Sequence, residues 1–241
     1  MLPSITVALA LVISVPPKPV PPKDQPVVRY GIPLTVPNTP KAKLTLRGAK
    51  LDTATEVKAD AGAVKVLKKG KAGVPNNYPA DKLGDTEVEI ELELPADFKG
   101  EAVKLTVVTP GGTSEPLSVR LAKGATAEKE PNDGFDKAQE VSLPATIDAT
   151  IGRERDTDVF KFSGKKGQKL AVEASSLGSP ADLLFTIYDA SRQVLLTVDD
   201  TDGNPDPRAE FTLPADGTYF ISVLEAHDLG GGGFGYRLVI K

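Results

Sequence analysis

The stretch DTEVEIELELP, residues 85–95, alternates strictly between acidic and aliphatic side chains. The aliphatic positions are Val88, Ile90, Leu92 and Leu94. Successive side chains of a β-strand point to opposite faces of the sheet, so a period of two predicts a strand with one face on a core and the other in water. The acids at 87, 89, 91 and 93 could in principle bind a cation or a partner. Such a row is more often a solvated strand face that discourages edge-to-edge pairing, and we interpret it so.

Short segments of the same kind recur along the whole chain and are joined by turns rich in glycine and proline. In the first half they are KLTLR (43–47), EVKAD (56–60), AVKVLKK (63–69), AVKLTVVTP (102–110) and LSVRL (117–121). In the second half they are VFKF (159–162), KLAVEA (169–174), LLFTIYD (183–189), VLLTV (194–198), AEFTL (209–213), TYFISVLEA (218–226) and YRLVIK (236–241). We therefore predict an all-β fold of two tandem antiparallel β-sandwich domains, with one helical turn at 134–139.

Three segments follow from this reading: 1–26, 27–122 and 123–241. The apolar run Ile5 to Val15 is shorter than the roughly 20 residues of a membrane-spanning helix and suits a signal peptide, although no Lys or Arg precedes it. The alternatives are a buried first strand or a start codon assigned slightly wrongly. Six prolines between Pro16 and Pro26 predict an extended tether. We expect an exported protein, extracellular, at the cell surface or periplasmic, with no transmembrane span in the mature chain.

The boundary near residue 122 lies in LAKGATAEKE, which has no apolar periodicity after Leu121. The charge also changes there: residues 27–122 carry 14 basic and 12 acidic side chains, whereas residues 126–241 carry 12 basic and 20 acidic ones. An acidic surface repels phosphate backbones, so we do not expect a nucleic-acid partner. The chain has no cysteine, which excludes disulfides, thiolate metal sites and cysteine nucleophiles.

The densest group of acids is EKEPNDGF, residues 128–135, and a second one is the pair Asp156 and Asp158 in RERDTDVFKF. In an extended chain Glu128, Glu130 and Asn132 would project to one face. Carboxylate and amide oxygens suit a hard cation such as calcium, which takes 6 to 8 oxygen ligands. The candidate metal ligands are Glu128, Glu130, Asn132, Asp133, Asp156 and Asp158.

A second reading of the same residues needs no metal. Asn132 or Asp133 would cap the helical turn at 134–139, Phe135 and Ala138 would pack beneath it, and the glutamates would point into water. The two readings are compatible, and the residues by themselves favour neither.

Two family resemblances bear on the choice. The segments EPNDGFDKAQEV, IDATIGRERDTDVFKFSGKKGQKLAVE, DLLFTIYDASRQVL, LPADGTYFISV and GYRLVI, within residues 126–241, resemble in order and spacing the bacterial pre-peptidase C-terminal (PPC) domain. That resemblance implies a jelly-roll-like sandwich of exported bacterial proteins, with calcium held by an acidic N-terminal linker, as in relatives from clostridial collagenases that also bind collagen. Residues 27–122, with KLTLRGAKL and the turn TPGGTS, resemble the immunoglobulin-like TIG/IPT domains more weakly.

Catalysis is not expected. His227 is the single histidine, so two-histidine zinc sites are impossible and a Ser-His-Asp triad would depend on it, yet no nucleophile-elbow motif accompanies it. We predict a non-catalytic accessory or binding module, stabilised by calcium, for adhesion or for capture of an extracellular protein or polysaccharide. The alternative is a structural spacer that binds no polymer. A capture module should expose aromatics, around Tyr188, Tyr219 or Tyr236.

Overall fold

In the computed structural model, the described residues are 23–37, 39–74, 78–201 and 203–241. Residues 1–22, which hold the expected signal segment and most of the proline-rich tether, lie outside them. The described part is almost entirely β, which confirms the predicted fold class. Four sheets form two sandwiches along the chain.

The first sandwich pairs a four-stranded sheet, in the order β1-β3-β6-β5, with a second sheet in the order β2-β9-β7-β4. A short strand, β8, also pairs with β7. The strands are β1 (Val27–Ile32), β2 (Thr35–Val36), β3 (Lys41–Ala49), β4 (Glu56–Ala59), β5 (Ala63–Lys71), β6 (Thr86–Glu93), β7 (Ala102–Thr109), β8 (Gly112–Thr113) and β9 (Leu117–Leu121). A four-residue helix, α1 (Ala80–Leu83), precedes β6.

Most of the alternating stretch forms β6, an inner strand of its sheet, and Val88, Ile90 and Leu92 are fully buried, while Leu94 follows the strand and is partly buried. Its glutamate row lies between basic residues of the two neighbouring strands. Lys41 on β3 lies 3.7 Å from Glu91 and 3.4 Å from Glu93, and Arg47 lies 3.7 Å from Glu87. Opposite charges across strands compensate one another, so this row is a surface feature of the sheet.

The second sandwich has sheets in the orders β10-β12-β19-β14-β17 and β11-β13-β18-β15-β16. Its strands are β10 (Thr126–Ala127), β11 (Gln139–Glu140), β12 (Ala145–Thr150), β13 (Thr157–Gly164), β14 (Lys169–Ser175), β15 (Leu183–Tyr188), β16 (Val194–Val198), β17 (Arg208–Thr212), β18 (Gly217–Glu225) and β19 (Gly235–Ile240). Most pairs are antiparallel; β2 with β9, β10 with β12 and β11 with β13 are short parallel additions.

Residues 126–140 cross from one sheet of the second sandwich to the other, and we call them the strap. The strap begins as β10, which pairs with β12, and ends as β11, which pairs with β13. Gln139 joins its two ends, because its side chain donates to the carbonyl of Ala127 and accepts from the amide of Lys129. The acidic stretch 128–133 therefore lies between the sheets along one side of the sandwich.

Side chains of the first sandwich pack into the core of the second. Tyr30, which is 3% exposed, and Leu83 belong to the same buried cluster as Phe160, Phe185 and Tyr236. The ring of Tyr78 meets Phe234 edge-on at 6.0 Å, and its hydroxyl donates to the carbonyl of Pro180. The two sandwiches are therefore in apolar contact through buried side chains.

A polar contact at β12 also joins the sandwiches. The hydroxyl of Thr35 donates to Oδ2 of Asp148 at 2.7 Å, and Arg237 donates to both oxygens of the same carboxylate. Among the described residues, no helix is both long and apolar enough to cross a membrane.

Candidate metal centre

The six candidate ligands come from the strap and from the loop that leads from β12 into β13. Glu128 follows β10 directly, and its amide donates to the carbonyl of Asp148 on β12. Asn132 is anchored to the next strand, because its carbonyl accepts from the amide of Val159 on β13. Asp156 precedes β13 and Asp158 lies within it. Backbone pairing with two different sheets thus brings separate parts of the chain to one place.

Glu128 and Asn132 are linked directly, as expected for side chains on one face of an extended segment. The Nδ2 of Asn132 donates to Oε1 of Glu128 at 2.9 Å, and the amide of Thr150 donates to Oε2 of Glu128 at 2.9 Å. The amide of Asn132 donates to Oε2 of Glu130 at 3.0 Å. These bonds hold three of the predicted ligands in fixed positions around the strap.

Both aspartates of the loop and strand are buried. Asp156 is 3% exposed and accepts from the amide of Gly152 through Oδ2 at 2.6 Å. Asp158 is fully buried and accepts from the hydroxyl of Tyr236 through Oδ2 at 2.6 Å. In each carboxylate Oδ2 thus accepts a hydrogen bond from the protein, whereas Oδ1 accepts none.

The carboxylates form two groups that share Glu130. An inner group contains Glu128, Glu130 and Asp158, and an outer group contains Glu130, Asp133 and Asp156. Within each group, one oxygen from every residue lies within 4.8 Å of the others. Oxygens bound to one calcium at 2.3 to 2.6 Å lie at most about 5 Å apart, so either group fits around a single ion.

Three buried oxygens around these groups have no hydrogen-bond partner in the protein. They are Oδ1 of Asn132, Oδ1 of Asp156 and Oδ1 of Asp158. Buried polar atoms are nearly always paired, since an unpaired one costs about 1–3 kcal/mol and a charged one more. Hard oxygen donors without partners are the set that calcium requires, and the residues present therefore fit a calcium ion.

Crowding of these carboxylates perturbs their acidity. Burial raises the pKa of Asp158 to about 9, and the charge of Glu128 adds to that rise. Burial likewise raises the pKa of Glu128 and of Asp156. The hydrogen bond from Arg153, in contrast, lowers the pKa of Asp133. A cation among these groups would favour their charged forms.

The capping interpretation is not what the structure shows. A single 3-10 turn at Phe135–Lys137 replaces the predicted helical turn, and Gly134 stands at its N-terminus without a side-chain hydrogen bond. Asn132 and Asp133 contact the acidic groups instead. Asp133 does point outward, with 32% of its side chain exposed, and is paired with Arg153.

The expected aromatic surface is wrong for two of its three tyrosines. Tyr219 and Tyr236 are 2% and 1% exposed, because both lie on the inner faces of their strands. Tyr188 is half-buried and contacts Phe135, which also meets Phe220. The alternation that placed the tyrosines on strands did not reveal which face of each strand is covered.

Three features of the region were not predicted from the sequence. Arg153 contacts the outer group, and a separate acidic group of Asp182, Asp199 and Asp200 lies near His227. The third is Gly230 in the GGGG run, where an added Cβ would lie 1.9 Å from the carbonyl oxygen of Arg153. That glycine is therefore required for close packing against the loop between β12 and β13.

Comparison with known proteins finds a family similarity in the second half of the chain. Residues 156–225 match the family described as the bacterial pre-peptidase C-terminal domain. This segment is therefore similar to PPC domains. The match begins at Asp156, so that residue and Asp158 lie inside the matched PPC segment and the four ligands of the strap lie before it. The resemblance of residues 27–122 to TIG/IPT domains stays a prediction.

The chain is 35% identical over 138 residues to a probable subtilase-type serine protease of Deinococcus radiodurans. The aligned part is 52% of this chain and spans about a fifth (19%) of the length of that relative.

Two solved structures show weak similarity of shape. The PPC domain of a collagenase from Bacillus anthracis aligns with 47% of this chain and 100% of its own, at 18% identity and a TM-score of 0.38. The lysozyme inhibitor PliG of Aeromonas hydrophila aligns with 43% of this chain and 97% of its own, at 19% identity and a TM-score of 0.32.

Proposed function

We propose that this chain is an exported, non-catalytic accessory module whose PPC sandwich is stabilised by calcium. The observation that carries the proposal is the convergence of Glu128, Glu130, Asp133, Asp156 and Asp158 around three unpartnered buried oxygens. The PPC match and the similarity to part of a larger, probable subtilase-type serine protease support an accessory role beside other domains.

Calcium would act here as a cross-link between the two sheets of the second sandwich. Glu128 is fixed to β12 through Thr150 and Asp148, whereas Asp158 belongs to β13. An ion held between these carboxylates would tie the strap to both strands and remove the repulsion among the acids. Binding to the folded state alone raises its stability, so calcium would act as a structural cofactor.

A non-catalytic role is supported by the surroundings of the single histidine. The side chain of His227 is 68% exposed, and its Nδ1 lies 3.5 Å from Asp182 and 3.8 Å from Glu225. Glu225 accepts from the amides of His227 and Leu229, so it orders the loop after β18. A base for catalysis needs a nucleophile within hydrogen-bond reach, and the contacts described for His227 are to carboxylates.

Two uses of such a module remain as candidates. Capture of an extracellular protein or polysaccharide is supported by half-buried Phe135, Tyr188 and Phe220 on the outer face of one sheet. A structural spacer is supported by the apolar contact between the sandwiches, in which Tyr30 and Tyr78 limit their relative motion. Retention of the protein on insoluble collagen or polysaccharide favours capture, and its absence on both favours the spacer.

Thermal unfolding of the chain in calcium, in magnesium and in chelator tests the calcium proposal. At calcium 100-fold above Kd we expect a gain of about 2.7 kcal/mol, or roughly 5–11 °C in Tm for a chain of this size. Glu130→Gln should lose most of this gain, because Glu130 belongs to both groups. Glu140→Gln is the matched control, since Glu140 is 77% exposed and pairs with Lys161. A calcium-independent Tm would overturn the proposal.

A further inference from the structure

The outer carboxylate group already has a positive charge beside it. Arg153 lies in the loop between β12 and β13, and its Nη2 donates to Oδ1 of Asp133. The same nitrogen lies 3.4 Å from Oδ1 of Asp156, without hydrogen-bond geometry. The guanidinium thus reaches two of the three residues of the outer group, and it reaches Asp156 at the oxygen that has no other partner.

The position of Arg153 is fixed by its loop. The carbonyl of Arg153 accepts from the amide of Asp156, and the loop packs closely against Gly230. The amide of Arg155 donates to the carbonyl of Asp228, and the amide of Gly231 donates to the carbonyl of Ile151. The backbone is therefore held from both sides, although 59% of the side chain of Arg153 is exposed and free to move away.

A guanidinium and a calcium ion would use the same oxygens here. Oxygens of Glu130, Asp133 and Asp156 lie within 4.8 Å of one another, which leaves room for one cation among them. The inner group has no such competitor among its hydrogen bonds: Glu128 accepts from Asn132 and Thr150, and Asp158 accepts from Tyr236. Positive charge from the protein is thus placed at the outer group.

We propose that Arg153 is a built-in counter-cation of the outer group, which stabilises the calcium-free fold and competes with calcium for Asp133 and Asp156. This inference rests on the calcium site proposed above. Arg153 then sets the calcium affinity of the domain, since its guanidinium must leave these oxygens when the ion binds. Without calcium it partly offsets the repulsion among the acids; with calcium it is dispensable.

Arg155 provides a matched control two residues away. Its side chain is 82% exposed and its Nε lies 3.6 Å from Asp228, so it carries the same charge near the site. Arg155→Gln therefore reports the general effect of one lost positive charge. Arg153→Gln removes that charge together with the contacts to Asp133 and Asp156. Arg153→Lys keeps the charge but loses the planar guanidinium, whose several N–H donors can contact two carboxylates at once.

The experiment measures calcium binding by isothermal titration calorimetry and Tm in chelator, with the full chain at about 0.15 M salt to screen distant charges. For Arg153→Gln we expect calcium affinity to rise on the order of tenfold, because an opposing charge within about 4 Å is removed. Its Tm should fall in chelator and equal or exceed that of the wild type in calcium. Arg153→Lys should lie between, and Arg155→Gln should match the wild type.

The outcomes separate this inference from the calcium proposal. If the wild type binds calcium and Arg153→Gln binds it with equal or lower affinity, competition is refuted and the calcium site stands. If neither binds calcium, both are refuted. If only Arg153→Gln binds it, the competition is supported and calcium binding by the wild type is refuted.

Discussion

The substitution Asp158→Asn tests the proposed centre at its most buried point. Asp158 is fully buried, shares the inner group with Glu128 and Glu130, and keeps one oxygen without a partner. Asparagine has the same shape without the charge. Its carbonyl can still accept from Tyr236, and its amide can donate toward Glu128.

The expected effects in chelator and in calcium have opposite signs. In chelator the wild type must either protonate Asp158, whose pKa is raised to about 9, or bury its charge. Asparagine avoids that cost, so we expect the variant to be more stable by about 2 kcal/mol. In calcium at 1,000-fold above the wild-type Kd, the wild type gains about 4 kcal/mol. A variant with 100-fold weaker affinity gains only about 1.4 kcal/mol under the same conditions.

Thermal unfolding followed by circular dichroism measures both effects. At about 2–4 °C per kcal/mol for a chain of this size, the calcium-induced rise in Tm should fall from roughly 8–16 °C to roughly 3–6 °C. The variant should melt about 4–8 °C above the wild type in chelator. Equal calcium shifts in the two proteins, or a variant that melts below the wild type in chelator, would refute the reasoning.

Three further predictions concern the loop, the domain contact and pH. Gly230→Ala should lower Tm and weaken the calcium shift, because its Cβ would collide with the carbonyl of Arg153, whereas Gly232→Ala meets no atom within 4 Å and should leave both unchanged. Tyr30→Ala should cost about 3 kcal/mol in denaturant unfolding, as expected for a buried aromatic; a loss below about 1 kcal/mol would contradict the docking of the sandwiches. Burial, and then the charge of Asp200, raises the pKa of Asp182. Its contribution to stability is complete below the unfolded pKa and is lost as pH rises through the folded pKa, so Asp182→Asn should raise Tm at pH 7 and not near pH 3. An equal effect at both pH values would contradict that assignment.

Sequence periodicity was sufficient for the fold because it depends on local geometry. The alternation in 85–95 can bury its aliphatic face only as a strand, and most of it forms β6, an inner strand of its sheet. The strap was not predictable in this way, since β10 and β11 are two residues long and their pairing depends on distant strands. Tyr219 and Tyr236 illustrate the same limit, because a strand pattern does not say which face meets the other sheet.

The candidate metal centre likewise combines ligands that local spacing could predict with ligands that only the tertiary structure brings close. Local spacing placed Glu128, Glu130 and Asn132 on one side of an extended segment, and their hydrogen bonds agree with that arrangement. The approach of Asp156 and Asp158 to that segment required two sheets to meet, and the sequence suggested it only through the PPC resemblance. The role of Arg153 could not be predicted from the sequence, because a basic residue among acids is usually an ordinary surface charge and only its contacts with Asp133 and Asp156 distinguish it.

The geometry of β12 connects the candidate metal centre to the domain contact. The carbonyl of Asp148 accepts from the amide of Glu128, while its carboxylate accepts from Thr35 of the first sandwich and from Arg237. Asp148 therefore holds the start of the strap through its backbone carbonyl, and it holds the first sandwich through its side chain. An ion that immobilises the strap would also restrain β12, and through it the contact with the first sandwich. Stabilisation by calcium should accordingly extend to the unfolding of both sandwiches, because β12 is hydrogen-bonded to Thr35 of the first sandwich and because Tyr30 and Leu83 are buried in the core of the second.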